Sequence, residues 1–398
     1  MNDWEKHKLE AITERICVGY VGSCQKDYTE KGNGVMMIRT TNLNLFKLDL
    51  SAVQYISKEF HDRNKKSQLK KNDILIARHG DNGKASMYEL EAEANCLNVV
   101  IIRPDEAKAN SKFLLYLINS PATRELILSQ STGSVQDVIN TRAIAGLELP
   151  IPDLPTQTRI ASILSALDDK IELNRRTNHT LEQMAQTLFK KYFVTDIDPD
   201  NLPKGWRKEP ISSVAERIQY GFTQSASVKA IGPKFLRITD IQEGKINWDE
   251  VPYCEANNAD FEKYKIMKHD IFIARTGAST GENIHVLNPP NAVFASYLIR
   301  VQFKNPMLAT YVGKFLRQNV YFDYVASILG GSAQPNANAQ ELTGIEIIIP
   351  SDDALKKYFL TVDLINHKKE NNEKENLMLS KLRDTLLPKL MSGEINVN

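Results

Sequence analysis

At 398 residues the chain exceeds what one hydrophobic core ordinarily holds, so two or more domains are expected. Its composition, 42% hydrophobic and 25% charged with a net charge of +1, is that of a globular protein and neither supports nor excludes nucleic acid as a partner. No apolar run approaches the roughly 20 residues of a membrane span, and the opening MNDWEKHKLE has no signal-peptide core, so the cytoplasm is the expected location.

Cys17, Cys24, Cys96 and Cys254 form no C-x-x-C pair, and His61, His79, His269 and His285 show no ligand spacing with them. Structural zinc is therefore rejected, and packed, reduced thiols are expected. In chain order, the first loop of note is IRTTNL, holding Arg39, Thr41 and Asn42. A basic stretch follows over residues 58 to 84, which reads alone as a solvated loop. It ends in DILIARHGDNGK, a buried strand running into a glycine-rich loop with Arg78, His79, Asn82 and Lys84. NVVIIR is a further strand, SKFLLYLINSPATRELILSQ is helical, and TGSVQDVINTR is a polar loop with Ser134, Gln136 and Asn140 before the strand LELPIP.

The same elements then return. DIFIARTGASTGE repeats DILIARHGDNGK at an offset of 197, growing to 198 after one extra loop residue. LRITDI faces IRTTNL at 198, which sets Arg237 and Thr239 on Arg39 and Thr41. GSAQ faces GSVQ, placing Ser332, Gln334 and Asn338 on Ser134, Gln136 and Asn140. Near the start, ITERICVGYVGS matches VAERIQYGFTQS at 202. A period near 200 residues means whole duplicated domains rather than a solenoid. Each copy reads as a compact α/β domain with a largely antiparallel or mixed sheet, and the acidic, proline-bearing stretch 195–206 as the linker between them.

Each copy is followed by apolar positions stepping by four and three. The first stripe is Ile160, Leu164, Leu167, Ile171, Asn174, Asn178, Leu181, Ala185, Leu188 and Tyr192. The second, 198 residues on, is Tyr358, Val362, Ile365, Lys369, Asn372, Asn376, Leu379, Arg383, Leu386 and Leu390. Sustained spacing of this kind argues for a coiled coil, and asparagines in the middle of a seam fix register at a cost in stability. Equivalent central asparagines meet best in an antiparallel pair. A helix over 156–194 would be a rod of ~58 Å, longer than one small domain needs. Lys369 and Arg383 are expected to reach the edge of the seam, and Pro388 to end or kink the second helix.

The stretch LPIPDLPTQTRIASILSALDDKIELNRRTNHTLEQMAQTLFKKYF resembles the central conserved region of specificity (S, HsdS-type) subunits of Type I restriction–modification enzymes. LLPKLMSGEI resembles the second conserved region of that family, and the likeness spans essentially the whole chain. IPSDDALKKYFL departs from the PTQTRI form and leaves the start of the second helix open. The resemblance implies an α+β chain with target-recognition domain 1 at 1–155, helix 1 at 156–194, the linker at 195–206, target-recognition domain 2 at 207–350, and helix 2 with the C-terminal tail at 351–398. It also implies a non-catalytic DNA reader for a bipartite, asymmetric site. Two modification (methyltransferase) subunits and restriction (translocase/endonuclease) subunits would be its partners, and S-adenosylmethionine, ATP and Mg would belong to them.

The residues themselves carry no catalytic pattern. NPPN at 288–291 imitates an amino-methyltransferase motif, but Asn291 stands where a base-stacking aromatic is needed. GDNGKA at 80–85 lacks Walker spacing, and Ala85 replaces the magnesium-binding hydroxyl. A reader needs phosphate anchors and base-edge donors instead. Candidates in the first half are Arg39, Thr41, Asn42, Arg78, His79, Asn82, Lys84, Ser134, Gln136 and Asn140. Those in the second are Arg237, Thr239, Arg275, Thr276, Ser279, Thr280, Ser332, Gln334 and Asn338. Residues that match between copies suit backbone contacts or fold, and those that differ suit specificity. Ile163, Leu173, Leu360 and Leu377, off the seam, either contact partners or pack on their own domain. The rival classes are a stand-alone methyltransferase or nuclease and a coiled-coil scaffold that binds no DNA.

Overall fold

The structure is a computed structural model that describes residues 4–78, 83–129, 140–242, 244–330 and 336–397. The chain divides into two compact units, one of residues 1–176 with 372–398 and one of residues 177–371.

In unit 1 the central sheet is antiparallel and runs in the order Thr13–Val18, Val99–Pro104, Asp73–Ala77, Ala85–Tyr88. The middle strand DILIA is buried along its whole length, which is why its sequence shows no polar alternation. Ile74 and Ile76 face a core shared with Phe113 and Leu114 of the helix Ser111–Asn119, while Leu75 and Ala77 face Ile38, Tyr88 and Cys96. A second sheet on that side ends in the parallel pair Val35–Arg39 and Ala94–Leu97. The short pair Lys6–Lys8 and Glu148–Pro150 draws the two ends of the domain together.

Unit 2 repeats the central sheet strand for strand, Arg217–Tyr220, Leu298–Gln302, Ile271–Ala274, Asn283–His285, and keeps of the second sheet the parallel pair Lys234–Leu236 with Ala292–Phe294. Again Ile271 and Ile273 face one core, and Phe272 and Ala274 the other. Arg207–Pro210 pairs with Glu346–Ile349 to close the domain.

The aspartate that opens the repeated phrase holds the fold. Asp73 accepts the Lys70 amide at 2.7 Å and Asp270 the Met267 amide at 2.9 Å, each across a turn whose preceding residue, Asn72 or His269, is left-handed. Arg103 then clamps Asp73 with two 2.7 Å bonds, and Gln302 donates to Asp270 at 2.8 Å. Gly19 and Gly221 are equivalent for a similar reason: a Cβ there would strike the backbone of Cys96 or Ala295. All four cysteines are buried free thiols.

The long helices run over Leu154–Phe193 and Asp352–Met391. Asp153 caps the first by accepting the Thr156 amide at 3.0 Å, so it begins ahead of the expected residue 156. Asp352 and Asp353 favour the positive end of the second. Pro388 does not end that helix, which continues to Met391. The proline is exposed and in the last turn, where the carbonyl it leaves unbonded can be solvated.

Candidate nucleic-acid interface

The rim of unit 1 combines fixed and available groups. Asn42 is buried and spends both ends of its amide on its own loop, accepting the Arg39 amide at 3.0 Å and donating to the Asp49 carbonyl at 3.0 Å. Thr41 beside it is exposed. The Arg39 guanidinium has a 3.5 Å bond to the Ala52 carbonyl and a buried Nε without a partner. Arg78 follows the strand Asp73–Ala77 and is half-buried, and Lys84, also half-buried, accepts the Ala77 amide through its carbonyl at 3.2 Å. Asn140 is the exposed N-cap of Thr141–Ala145, accepting the Arg142 amide at 2.9 Å. His79, Asn82, Ser134, Gln136, Ser332 and Gln334 lie outside the described residues.

In unit 2 the loop equivalent to Arg39–Asn42 carries Asp240 in place of asparagine. Its carboxylate accepts the Arg237 amide at 2.8 Å and grips the guanidinium through Nε at 3.0 Å and Nη2 at 2.7 Å. Arg237 is thereby tied to an acid that Arg39 lacks. Thr239 is exposed. The loop after Ile271–Ala274 closes on itself: Gly277 is left-handed, the Thr280 hydroxyl donates to the Gly277 carbonyl at 2.8 Å, and the Ser279 carbonyl accepts the Glu282 amide at 2.9 Å. Thr276 bridges to Asn336. Arg275 lies over the Tyr220 ring, 4.9 Å from its centre, with Nη2 3.4 Å from Asn336 Oδ1. Asn338 caps Ala339–Thr343, accepting the Glu341 amide at 3.0 Å while Glu341 accepts its own at 2.7 Å. Asn140 and Asn338, equivalent by the repeat, thus spend their side-chain oxygens on helix starts. Tyr220 and Asn336 were not picked out by sequence. Their only signal is that Tyr220 precedes the repeated Gly221 where the first copy has Val18.

Every residue of the two stripes is buried or half-buried. Within unit 1, Leu164, Ile171, Asn174 and Asn372 are buried, and Leu167, Asn376, Leu379 and Leu386 half-buried. Asn174 Nδ2 donates to Asn376 Oδ1 at 2.9 Å and to Glu375 at 2.8 Å. Earlier on the first helix, Asp168 bonds Arg383 at 2.7 Å, so partners descend as the first helix ascends: the segments are antiparallel. Within unit 2 the order is the same. Asn178 donates to the Lys369 carbonyl at 3.2 Å, Glu182 pairs with the Lys369 ammonium at 2.5 Å, and Phe193 packs edge-on against Tyr358 at 4.8 Å. There Val362 and Ile365 are buried, with Leu181 and Leu188 half-buried. Ile163, Leu173, Leu360 and Leu377 are exposed.

The edge expected for the two cations needs correction for Arg383. Its side chain is 14% exposed, because Asp168 neutralises it and the Phe46 ring lies 4.8 Å away. Lys369 is also partly covered, sharing Glu182 with Lys314. Burial alone would raise the Glu182 carboxyl, but the two ammonium groups outweigh it and hold the group down at about 2, against an ordinary 4.5. A carboxyl depressed on folding contributes stability that is present above 4.5 and lost as pH falls towards 2. Glu182→Gln is therefore expected to lower the melting temperature at neutral pH and to flatten its fall between about pH 4.5 and 2, which thermal unfolding across that range would read.

Taken together, two copies of one α+β domain, unlike at their rims and joined to antiparallel helices, define a duplicated recognition protein. Residues 1–183 match the family model described as the Type I restriction modification DNA specificity domain. The HindI specificity subunit of Haemophilus influenzae is 25% identical, the match covering 99% of this chain and 100% of that protein. The MjaIX specificity subunit of Methanocaldococcus jannaschii is 24% identical over 72% of this chain and 69% of its own. The solved S subunit of the Type I restriction–modification system of M. genitalium shares the fold, with a TM-score of 0.57, 17% identity, and coverage of 98% and 97%. Over residues 1–183 the chain matches that specificity domain, and along its whole length it is similar to Type I specificity subunits.

Proposed function

We propose that this chain reads a bipartite, asymmetric DNA site, one half through each recognition domain, and that the paired helices set the unread gap between the halves. One observation carries the reading: the strand order and core alternation repeat in both units, while the rims differ. Arg39 is free of the carboxylate that holds Arg237, and Val18 stands where Tyr220 does. A duplicated frame with unlike rims suits two readers of different sequences. The chain performs no chemistry itself. Two methyltransferase subunits would bind S-adenosylmethionine, and restriction subunits would use ATP and Mg. The exposed Ile163, Leu173, Leu360 and Leu377 suit contacts with them.

The test is to exchange residues 207–350 for those of a sibling subunit and map methylated adenines across the genome of the host strain. One half-site is expected to change while the other half and the gap stay. Both halves changing together would refute independent reading. Purified chain incubated alone with S-adenosylmethionine and DNA should leave the DNA unmethylated; methylation there would instead make it a stand-alone methyltransferase.

A further inference from the structure

We propose that Arg275, stacked on Tyr220 and steadied by Asn336, reads a guanine in the half-site of the second recognition domain, and that the first domain, with Val18 in place of the tyrosine, does not share that ring platform. The inference rests on the DNA-reading function proposed above and names the chemistry of one contact within it.

The other arginines buried or braced in unit 2 are committed to carboxylates. Arg237 is gripped by Asp240, Arg317 pairs with Glu282 at 2.9 Å, and Arg300 lies 3.6 Å from Asp270 with both side chains buried. Arg275 differs. Its polar side-chain partner among the described residues is the neutral amide of Asn336, and its other neighbour is a ring face, so its charge is oriented without being neutralised. Its Nε is buried and bonds to nothing, which leaves the two terminal nitrogens as the edge that can reach a ligand.

The platform beneath is itself fixed. The Tyr220 hydroxyl accepts the Ala339 amide at 3.0 Å, pinning the ring against the start of Ala339–Thr343 while 42% of the residue stays exposed. On the other side, the Arg275 amide donates to the carbonyl of Tyr297, which is 57% exposed. A phosphate offers acceptor oxygens in several directions, so its anchor depends less on a fixed plane. A guanidinium that meets two coplanar acceptors, such as guanine O6 and N7, gains from having its plane set beforehand. Arg78 occupies the equivalent place in unit 1 and also has a bare, buried Nε, but Val18 replaces the ring. The shared arginine with an unshared platform is the pattern expected of a specificity device added to a common frame.

Strains carrying the chain with Arg275→Ala, Arg275→Lys, Tyr220→Leu or Tyr220→Phe would be compared by genome-wide methylation-site sequencing. Arg275→Ala is expected to relax one guanine position of the second half-site, cutting the preference there by about five- to a hundredfold, with the first half-site and gap unchanged. Tyr220→Leu should relax the same position, and Tyr220→Phe, which keeps the ring, should relax it less. Arg275→Lys keeps the charge but loses the planar fork, so it should relax that position too, and it carries the test if the alanine variant fails to accumulate. Uniform loss of methylation at an unchanged motif in the lysine and leucine variants would make Arg275 a phosphate anchor or a fold contact and overturn the assignment. So would relaxation in the first half-site. A wild-type strain with no bipartite motif would instead overturn the DNA-reading function itself.

Discussion

Replacing Asp168 by alanine is expected to destabilise unit 1 by about 3 kcal/mol, the low end of the usual cost of breaking a buried ion pair. Asp168 Oδ1 accepts Arg383 at 2.7 Å, and Oδ2 accepts the Tyr116 hydroxyl at 2.6 Å. Removing the carboxylate strands a guanidinium that is 14% exposed and a phenol that burial and the carboxylate keep firmly protonated. The low end applies because Arg383 retains the exposed Asp384 at 2.8 Å. Tyr116→Phe removes one hydrogen bond to a charged acceptor and should cost about 1.5 kcal/mol. Replacing both ions, as Asp168→Leu with Arg383→Met, should lie nearer wild type than Asp168→Ala does, since no charge is left buried. Native-state hydrogen exchange of the Asp73–Ala77 amides would measure all three in unit 1 alone. A loss below 1 kcal/mol for Asp168→Ala would show that water screens the pair and that it does not hold the helices in register.

That ion pair also marks where sequence reading stopped. The seam was legible because four-three spacing is a local signal, carried by residues such as Leu164, Ile171, Val362 and Ile365. Arg383 looked like a defect in it because its partner lies 215 residues away. Only an antiparallel register brings Asp168 opposite Arg383, and Glu182 opposite Lys369, and both acids lie one step off the stripe. The same division runs through the domains. DILIA and DIFIA could be read as fully buried strands, but the work of Asp73 and Asp270 depends on the turn at Asn72 and His269. Asn42, Asn140 and Asn338 have side chains able to read adenine, yet each is bonded to its own backbone neighbourhood. Composition shows donor capacity; whether the donor or acceptor is already spent is a tertiary fact. The platform under Arg275 was invisible for that reason, since strand pairing and the Thr276–Asn336 bridge assemble it from three separate stretches.

Removing one heptad from each long helix is expected to shorten the preferred gap by about three base pairs without altering either half-site. The deletions must be matched for an antiparallel pair: residues 174–180 from the first helix and 371–377 from the second. They take out the central asparagines and leave the seam spacing intact on both sides. Register is still pinned, because Asp168 with Arg383 and Glu182 with Lys369 lie outside the deleted stretches. Seven residues of helix amount to ~10 Å, close to three base-pair steps of ~3.4 Å. A whole heptad keeps the facing of the helices, whereas three base pairs turn DNA by about 100°, so binding should weaken as well as shift. Duplexes carrying both half-sites at stepwise gaps, assayed with the methyltransferase subunits present, would separate the two effects. The optimum should move to the shorter gap even where the maximum rate falls. An optimum left at the original gap would show that something other than the paired helices sets the spacing.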